Sequence, residues 1–184
     1  MKKLKHLAVL LVFVFAFLNS YSSVHAAYGN VTTVTSTYNI PAGWMIKSSS
    51  TFAGTTTYTI VDLNGAPYGA TQSVTSTYNI PYGWMIKSSS TFAGTTTYVI
   101  INLNNGPALA TQQVTSTVNI PGGWMIKNSS TFAGTTTYTL INLNGTSVGT
   151  TVQVTSTLNM PYGWVIKSSS TFAGVTTYTI QKIS

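Results

Sequence analysis

Residues 34–58 read VTSTYNIPAGWMIKSSSTFAGTTTY, and this segment decides the fold because it recurs with few changes and no insertion. Its copies begin 40 residues apart, at Val34, Val74, Val114 and Val154. The first two copies differ only at Ala42, which is Tyr82 in the second copy. A fixed period of this length is typical of repeat architectures. We therefore expect four units that share one structure.

Each unit has the composition of β-strands. Thr, Val, Ile, Tyr and Trp dominate, and no helical periodicity of apolar residues is visible. In the second unit the pattern predicts strands at about 71–80, 84–91 and 95–103. Repeated in four units, this predicts an all-β protein of about three antiparallel strands per 40-residue repeat, arranged as a meander.

Turn signals separate the predicted strands. Pro81 and Gly83 break the first strand from the second, and Ala93 and Gly94 break the second from the third. Asn64-Gly65 is the strongest β-hairpin signal in the chain, because Asn-Gly favours the two-residue type I′ turn. We expect this dipeptide to join antiparallel neighbours.

The repeat frame suggests closure. Residues 28–33 align with the spacer 68–73, and the chain ends where the earlier copies reach a turn. We therefore predict a closed barrel or propeller-like ring, in which the first strand, 28–33, completes the last unit. Closure would remove the exposed edges of the sheet. The alternative is an open β-repeat array or solenoid.

Alternation of side chains along a strand assigns two faces to each sheet. Val34, Tyr38 and Ile40 fall on one face of the first strand. Position 38 holds only large apolar or aromatic residues in the four units, which predicts that it is buried; these residues are Tyr38, Tyr78, Val118 and Leu158. The Thr-rich opposite face is expected to be solvated.

The first 26 residues have the features of a secretory signal peptide. Lys2, Lys3 and Lys5 precede an apolar run at 7–18, and small residues precede a cleavage point after Ala26. Twelve apolar residues are too few for a bilayer-spanning helix, which needs about 20. We expect removal of residues 1–26, a single four-repeat domain at 27–184 without a stable transmembrane anchor, and secretion with a bacterial-type signal.

The composition after residue 26 argues against catalysis. This part holds five Lys and Asp62 but no His, Cys, Glu or Arg, so its net charge is five minus one, or +4. General acid–base catalysis, activated cysteines and transition-metal sites need groups that are missing. We predict no enzyme activity, no catalytic residue, no cofactor and no metal site. Five Lys over this length also predict no binding of nucleic acid.

Four positions of the repeat are candidates for ligand binding, although each also has a purely structural interpretation. Trp after the Pro turn could stack on a sugar ring or belong to the core, and Asn beside that turn could bind hydroxyls or only the local backbone. The Lys in register could contact an anionic polymer or only aid solubility, and two turn tyrosines could be exposed platforms. The candidates are Trp44, Trp84, Trp124, Trp164, Lys47, Lys87, Lys127, Lys167, Asn39, Asn79, Asn119, Asn159, Tyr82 and Tyr162.

These features predict a secreted, non-enzymatic, multivalent binding protein, lectin-like, that recognises glycan or an anionic cell-surface polymer. Four equivalent weak sites can give high avidity on a repetitive surface. The first alternative is self-association into extracellular structural or matrix material, because nearly uncharged Thr- and Tyr-rich strands favour strand assembly. A pore-forming or bacteriocin-like protein is a further alternative.

The spacing of threonines provides one more alternative. Thr35 and Thr37, and Thr55, Thr57 and Thr59, form Thr-x-Thr patterns that recur in the repeats. This spacing resembles the flat surfaces of ice-binding β-solenoid proteins. The resemblance implies ice binding, but it covers only the Thr spacing, because the units here are 40 residues long and contain hairpin turns.

Overall fold

A computed structural model describes residues 27–184 of the chain. The predicted signal peptide, residues 1–26, lies outside the described residues. Each unit contributes one short strand and two long strands, and the strand lengths are the same in all four units. The strands are β1 Val31–Val34, β2 Trp44–Phe52 and β3 Thr55–Asp62 in unit 1; β4 Thr71–Val74, β5 Trp84–Phe92 and β6 Thr95–Asn102 in unit 2; β7 Thr111–Val114, β8 Trp124–Phe132 and β9 Thr135–Asn142 in unit 3; and β10 Thr151–Val154, β11 Trp164–Phe172 and β12 Val175–Lys182 in unit 4.

The structure confirms the all-β repeat fold and shows an open array. The strands form four separate three-stranded antiparallel sheets, one per unit. β1 pairs with β3 of its own unit, with Val34 opposite Tyr58, so residues 28–33 do not complete the last unit. The prediction of a closed ring is therefore wrong for the described residues, and the open alternative is the one observed.

The order of strands within a sheet is not that of a meander. In each unit the third strand is central, with the short first strand on one side and the second strand on the other. The second and third strands pair along their whole length, from Trp44 opposite Asp62 to Phe52 opposite Thr55. The short strand reaches only as far as Tyr58, so the distal half of each hairpin is two-stranded.

The tight hairpin turn lies at Ala-Gly and not at Asn-Gly. Ala53 and Gly54 join β2 to β3 with φ of 46° and 79°, the two positive values that a type I′ turn requires. Asn64-Gly65 instead joins β3 to β4, which belong to different sheets. Asn64 has another role there, because its Nδ2 donates a hydrogen bond to the carbonyl of Ala42 at 3.2 Å.

The sheets stack on one another, so those of units 2 and 3 are covered on both faces and those of units 1 and 4 on one face each. Met45, Val61 and Leu63 of unit 1 pack against the opposite face of unit 2. That opposite face carries Val74, Trp84 and Ile100. Units 2 and 3, and units 3 and 4, pack in the same way. The core therefore lies between units, so adjacent residues such as Trp84 and Met85 are both buried.

The first predicted strand is shorter than expected, and the prediction for position 38 is wrong. β4 ends at Val74, and Tyr38 is 97% exposed. The reason is a local turn: the Ser36 hydroxyl accepts a hydrogen bond from the backbone N–H of Tyr38 at 3.2 Å, and the chain leaves the sheet. The same turn recurs in each unit, and the equivalent residues Tyr78, Val118 and Leu158 are also exposed.

A β-bulge places the repeated lysine. The pairing between β2 and β3 shifts between Ile46 and Ser48, which leaves Lys47 as the extra residue. The shift recurs at the same position in the other sheets. The simple alternation of faces therefore fails beyond this point of the strand.

Candidate functional site

The segment that crosses from the short strand to the hairpin forms a loop at one side of each unit. In unit 2 this loop contains Asn79 in the left-handed region, with φ of 57°, followed by Pro81. A turn then closes with a hydrogen bond from the Trp84 N–H to the Pro81 carbonyl at 3.0 Å. Because the sheets stack, successive loops follow one another along the array.

Grooves lie between successive loops. The groove between units 2 and 3 has a volume of about 600 Å³, and that between units 1 and 2 has a volume of about 610 Å³. Both grooves are lined by asparagine, tryptophan and isoleucine, and by a side chain equivalent to Tyr38. The first is lined by Thr77, Asn79, Ile80, Trp84, Ile86, Tyr98, Ser116, Val118 and Asn119, and the second includes Tyr38, Ile40, Trp44, Ile46, Tyr78 and Asn79.

The tryptophans belong mainly to the core. Trp84, Trp124 and Trp164 are buried between units, which is the structural interpretation of this position. Trp84 packs against Tyr28 with ring centroids 6.3 Å apart, and Trp124 stacks on Tyr68 at 6.2 Å. These indoles therefore offer no open face to a ligand. The half-buried exception is Trp44, because no described unit precedes unit 1.

The asparagines lie where a ligand could reach them. Asn79, Asn119 and Asn159 are exposed and have φ values of 57°, 62° and 61°. Asn is among the residues that tolerate this left-handed conformation. The backbone thus gives one reason for Asn at this position, and the groove gives a second. Asn39 lies in the short 3-10 turn Thr37–Asn39 of unit 1.

The two turn tyrosines have different surroundings. The hydroxyl of Tyr82 accepts a hydrogen bond from the backbone N–H of Gly122 at 2.7 Å, so Tyr82 joins units 2 and 3. Gly122 is the same repeat position in the next unit, where a side chain would stand close to this hydroxyl. Tyr162 projects from the last loop and is exposed. Tyr82 and Tyr162 therefore do not form equivalent aromatic platforms.

The lysines line a different part of the surface from the asparagines. Lys47, Lys87 and Lys167 are exposed, whereas Lys127 is half-buried. Lys87 borders a separate groove of about 630 Å³ together with Gln112, Gln113 and several threonines of unit 3. The structure therefore does not combine the repeated lysine with the asparagine and tryptophan positions in one groove.

Sequence reasoning missed one recurring surface feature, the phenylalanines at the hairpin tips. They pair with the first residue after each Ala-Gly turn and are 86 to 87% exposed; they are Phe52, Phe92, Phe132 and Phe172. The available signal was the invariance of Phe-Ala-Gly in all units. Each tip lies at the far end of a nine-residue strand from the Pro turn, roughly 27 Å away at 3.3 Å per residue.

The hairpin arms behind these tips present hydroxyl groups. Ser and Thr residues cover the exposed part of each arm, and one Thr pair bridges the two strands. In unit 1 the hydroxyls of Thr51 and Thr56 are 2.9 Å apart, and the other units repeat this contact. The arms therefore gain cross-strand support without charge.

The described residues also limit the chemistry of the site. Within residues 27–184 no group of three His, Cys, Asp or Glu side chains could hold a metal ion. In the same range no helix has the length and apolar character needed to cross a bilayer. The acid in this part of the chain, Asp62, is buried at the end of β3 and does not line the grooves.

Comparisons of the chain with protein-family models, curated proteins and solved structures found no match. The functional argument therefore depends on the surfaces described above. These surfaces are the inter-unit grooves, the row of lysines and the Phe tips. The outer faces of units 1 and 4, at the two ends of the array, are a further surface.

Proposed function

We propose that this chain is a secreted, non-enzymatic, multivalent binding protein, lectin-like, that binds glycan or a cell-surface polymer in its inter-unit grooves. The observation that carries the proposal is the recurrence of similar grooves of about 600 Å³ along one side of the array. Their size is within the range of small-ligand sites, which begins at about 300 Å³.

The groove lining suits a sugar ring. In the groove between units 2 and 3, Ile80, Ile86 and Tyr98 provide apolar and aromatic contacts for the C–H face of a ring, while the amide of Asn79 can donate to and accept from hydroxyl groups. Ser116 and Thr77 add further hydroxyls at the margin. The absence of charge from this lining favours a neutral segment of polymer.

The stacking of the units sets the spacing of the grooves. Sheets that pack face to face are about 10 Å apart, so neighbouring grooves are separated by a similar distance. An extended polymer whose chemical repeat matches this spacing contacts several grooves in succession. Binding at one groove then raises the effective concentration at the next, which increases avidity without any new kind of contact.

The test compares two variants on a panel of polymers. The panel contains a neutral β-linked glucan, a polymer of N-acetylglucosamine and an anionic polyol-phosphate polymer. Asn79→Gly together with Asn119→Gly removes two amides from the grooves but permits the positive φ, so the backbone is preserved. The control replaces all four repeated lysines by Gln.

We expect the wild-type protein to be retained on at least one neutral polymer of the panel. The double Asn→Gly variant should lose most of this retention, about tenfold or more in apparent affinity, because two neighbouring sites are weakened together. The fourfold Lys→Gln variant should keep it. Retention that is lost with the lysines and kept without the asparagines would refute groove binding and support a polyanion contact.

A second candidate function, self-association, is favoured by the two ends of the array. The first end presents Val34 and Trp44, whose equivalents in units 2 to 4 are buried between units. The other end presents Val165 and Ile183, which are exposed at positions that are buried in earlier units. Head-to-tail contact between two copies would rebuild an interface of the internal kind.

Gln181 opposes this association, because it stands where units 1 to 3 have Val61, Ile101 and Ile141. We expect the average mass of the Gln181→Val variant, measured by light scattering, to increase as the protein concentration rises. Adding Val34→Lys to this variant should abolish the increase. A mass that is independent of concentration in both variants would contradict self-association through the end faces.

A further inference from the structure

Asp62 occupies a repeat position that otherwise holds hydrogen-bond donors. The equivalent residues are Asn102, Asn142 and Lys182. Asp62 is 1% exposed, and the two asparagines are equally buried. One oxygen of each side chain accepts from the backbone two residues on: Asp62 Oδ1 accepts from the Asn64 N–H at 2.9 Å, as Asn102 Oδ1 accepts from the Asn104 N–H at 3.0 Å. Asp62 Oδ1 also accepts from Asn64 Nδ2 at 2.8 Å.

The other half of the asparagine holds the connection between units. Asn102 Nδ2 donates to the carbonyls of Ala66 and Pro67, at 2.7 and 3.1 Å. Asn142 repeats both contacts with the carbonyls of residues 106 and 107, at 2.6 and 3.1 Å. In units 2 and 3 this position therefore supplies a donor, which a carboxylate cannot provide.

Residues 27–30 take the place of that connection in unit 1. The Gly29 N–H donates to the Asp62 carbonyl at 2.9 Å, as Gly69 donates to Asn102 at 2.8 Å. The Asn30 N–H donates to the Ala27 carbonyl at 3.0 Å, which matches the bond from Ala70 to Pro67 at 3.2 Å. Ala27 is thus the counterpart of Pro67, and Asp62 Oδ2 is the counterpart of the Asn102 amide nitrogen.

We propose that Asp62 binds the α-ammonium group of Ala27 after the chain is cut between Ala26 and Ala27. This inference rests on the predicted signal-peptide cleavage and not on glycan binding. In the cut, a signal peptidase of the secreting cell adds water to the peptide bond: the carbonyl carbon of Ala26 becomes a carboxylate, and the nitrogen of Ala27 takes up protons and becomes an ammonium. In unit 2 the Ala66 carbonyl accepts from the Asn102 amide. At the equivalent place in unit 1 the ammonium of Ala27 is a cationic donor to the Asp62 carboxylate.

The ion pair explains why the acid is found at this position and in this unit. A carboxylate buried without a cation is costly, and a neighbouring ammonium offsets that cost. Units 2 and 3 have no chain end at the equivalent place, and they carry Asn. The contact of residues 27–30 with Asp62 at the start of unit 1 therefore depends on removal of the preceding residues.

The test uses two lengths of the protein, each with Asp62 or with Asp62→Asn. One length begins at Ala27, since residues 27–184 contain the twelve described strands and the three core clusters. The other begins at Ser22, which moves the α-ammonium five residues away along the chain. The midpoints of thermal unfolding are measured by circular dichroism for all four proteins.

We expect Asp62→Asn to lower the midpoint of the protein that begins at Ala27 by about 5 °C, the scale of one buried pair in a chain of this size. In the longer protein the same substitution should raise the midpoint or leave it unchanged, because the amide can donate to the carbonyls as Asn102 does. As a control, Asn102→Asp should lower the midpoint equally at both lengths. Equal shifts from Asp62→Asn at both lengths would overturn the proposal.

A second measurement covers the case in which a variant does not fold. The α-amine of the processed protein is acylated with a neutral active ester, and its modification is followed by peptide mass spectrometry. We expect the amine of the Asp62 protein to react at least about tenfold more slowly than that of a denatured sample. An equal rate, or a secreted protein whose mass shows another N-terminus, would overturn the proposal whatever the polymer panel shows.

Discussion

At the scale of single residues, the contacts between units show matched sizes. Where Tyr68 stacks on Trp124, the facing residue of the next connection is Gly106, and a Cβ atom there would lie 2.8 Å from both rings. In the next repeat the tyrosine position holds Ala108 and the glycine position holds the larger Thr146, and in the preceding repeat the two positions hold Tyr28 and Ala66. The bulk of the two positions is therefore exchanged between the second and third interfaces, which is consistent with close packing.

The matched sizes lead to a prediction for Gly106→Ala. The added methyl group should destabilise the protein by about 1–3 kcal/mol, because it overpacks the stack of Tyr68 on Trp124. Combining it with Tyr68→Ala should cost less than the sum of the two single changes, because the second change makes room for the first. Urea unfolding of the three variants measures this coupling, and strict additivity would contradict it.

At the scale of elements, the hairpin turn carries strain. Ala93 has φ of 47° and is followed by Gly94, and the other hairpins repeat this pair. A non-glycine residue without a short polar side chain is disfavoured in this region. Asn-Gly is the preferred pair for a type I′ turn, yet the chain uses Asn-Gly elsewhere.

Replacing the turn alanines should therefore stabilise the hairpins. We expect Ala93→Asn to raise the free energy of unfolding by about 0.5–1 kcal/mol, through relief of the left-handed alanine. Ala93→Val should lower it, because a β-branched residue tolerates positive φ worse. Both variants are measured by urea unfolding, and a decrease with Asn would refute this description of the turn.

The exposed tips have a separate prediction. Phe→Ser at all four tips should shift the thermal midpoint by no more than about 2 °C, because surface changes away from packing contribute little. The same variant should elute earlier from a hydrophobic-interaction column, since exposed apolar surface is removed. A fall in the midpoint of about 10 °C would indicate that the tips support the fold.

Some features of these elements were predictable from the sequence, and others were not. The 40-residue period predicted the number of units, the composition predicted the β class, and Pro-x-Gly and Phe-Ala-Gly marked true turns. The face assignments failed because stacked sheets bury both sides and because Lys47 is a bulge. Asn64-Gly65 misled because the preference of a dipeptide does not reveal which sheets it connects. The grooves depend on contacts between units, which a local pattern does not encode.

At the scale of the whole molecule, the four sheets form a linear stack with nearest-neighbour interfaces. Each hydrophobic cluster joins only two successive units, for example Met85 and Leu103 of unit 2 with Trp124 of unit 3. A backbone hydrogen bond also links each successive pair, such as that from the Thr115 N–H to the Ile86 carbonyl at 2.8 Å. Stability in such arrays is close to a sum over units and interfaces.

Removal of one period should therefore preserve the fold. Deletion of residues 75–114 joins Val74 to Thr115 in the same phase of the repeat. We expect the shortened protein to keep its β circular dichroism spectrum, with a smaller m-value in urea because less surface is exposed on unfolding. Complete loss of structure would contradict a stack held by interfaces between neighbours.

The number of grooves offers the most direct test of the proposed function. Affinity electrophoresis in a soluble neutral polysaccharide that retains the wild-type protein is repeated with Asn79→Gly and with Asn79→Gly combined with Asn119→Gly. Multivalent binding in the inter-unit grooves predicts that the apparent dissociation constant rises in steps, with the larger rise in the double variant. A dissociation constant that is the same for all three folded proteins would contradict binding in the grooves.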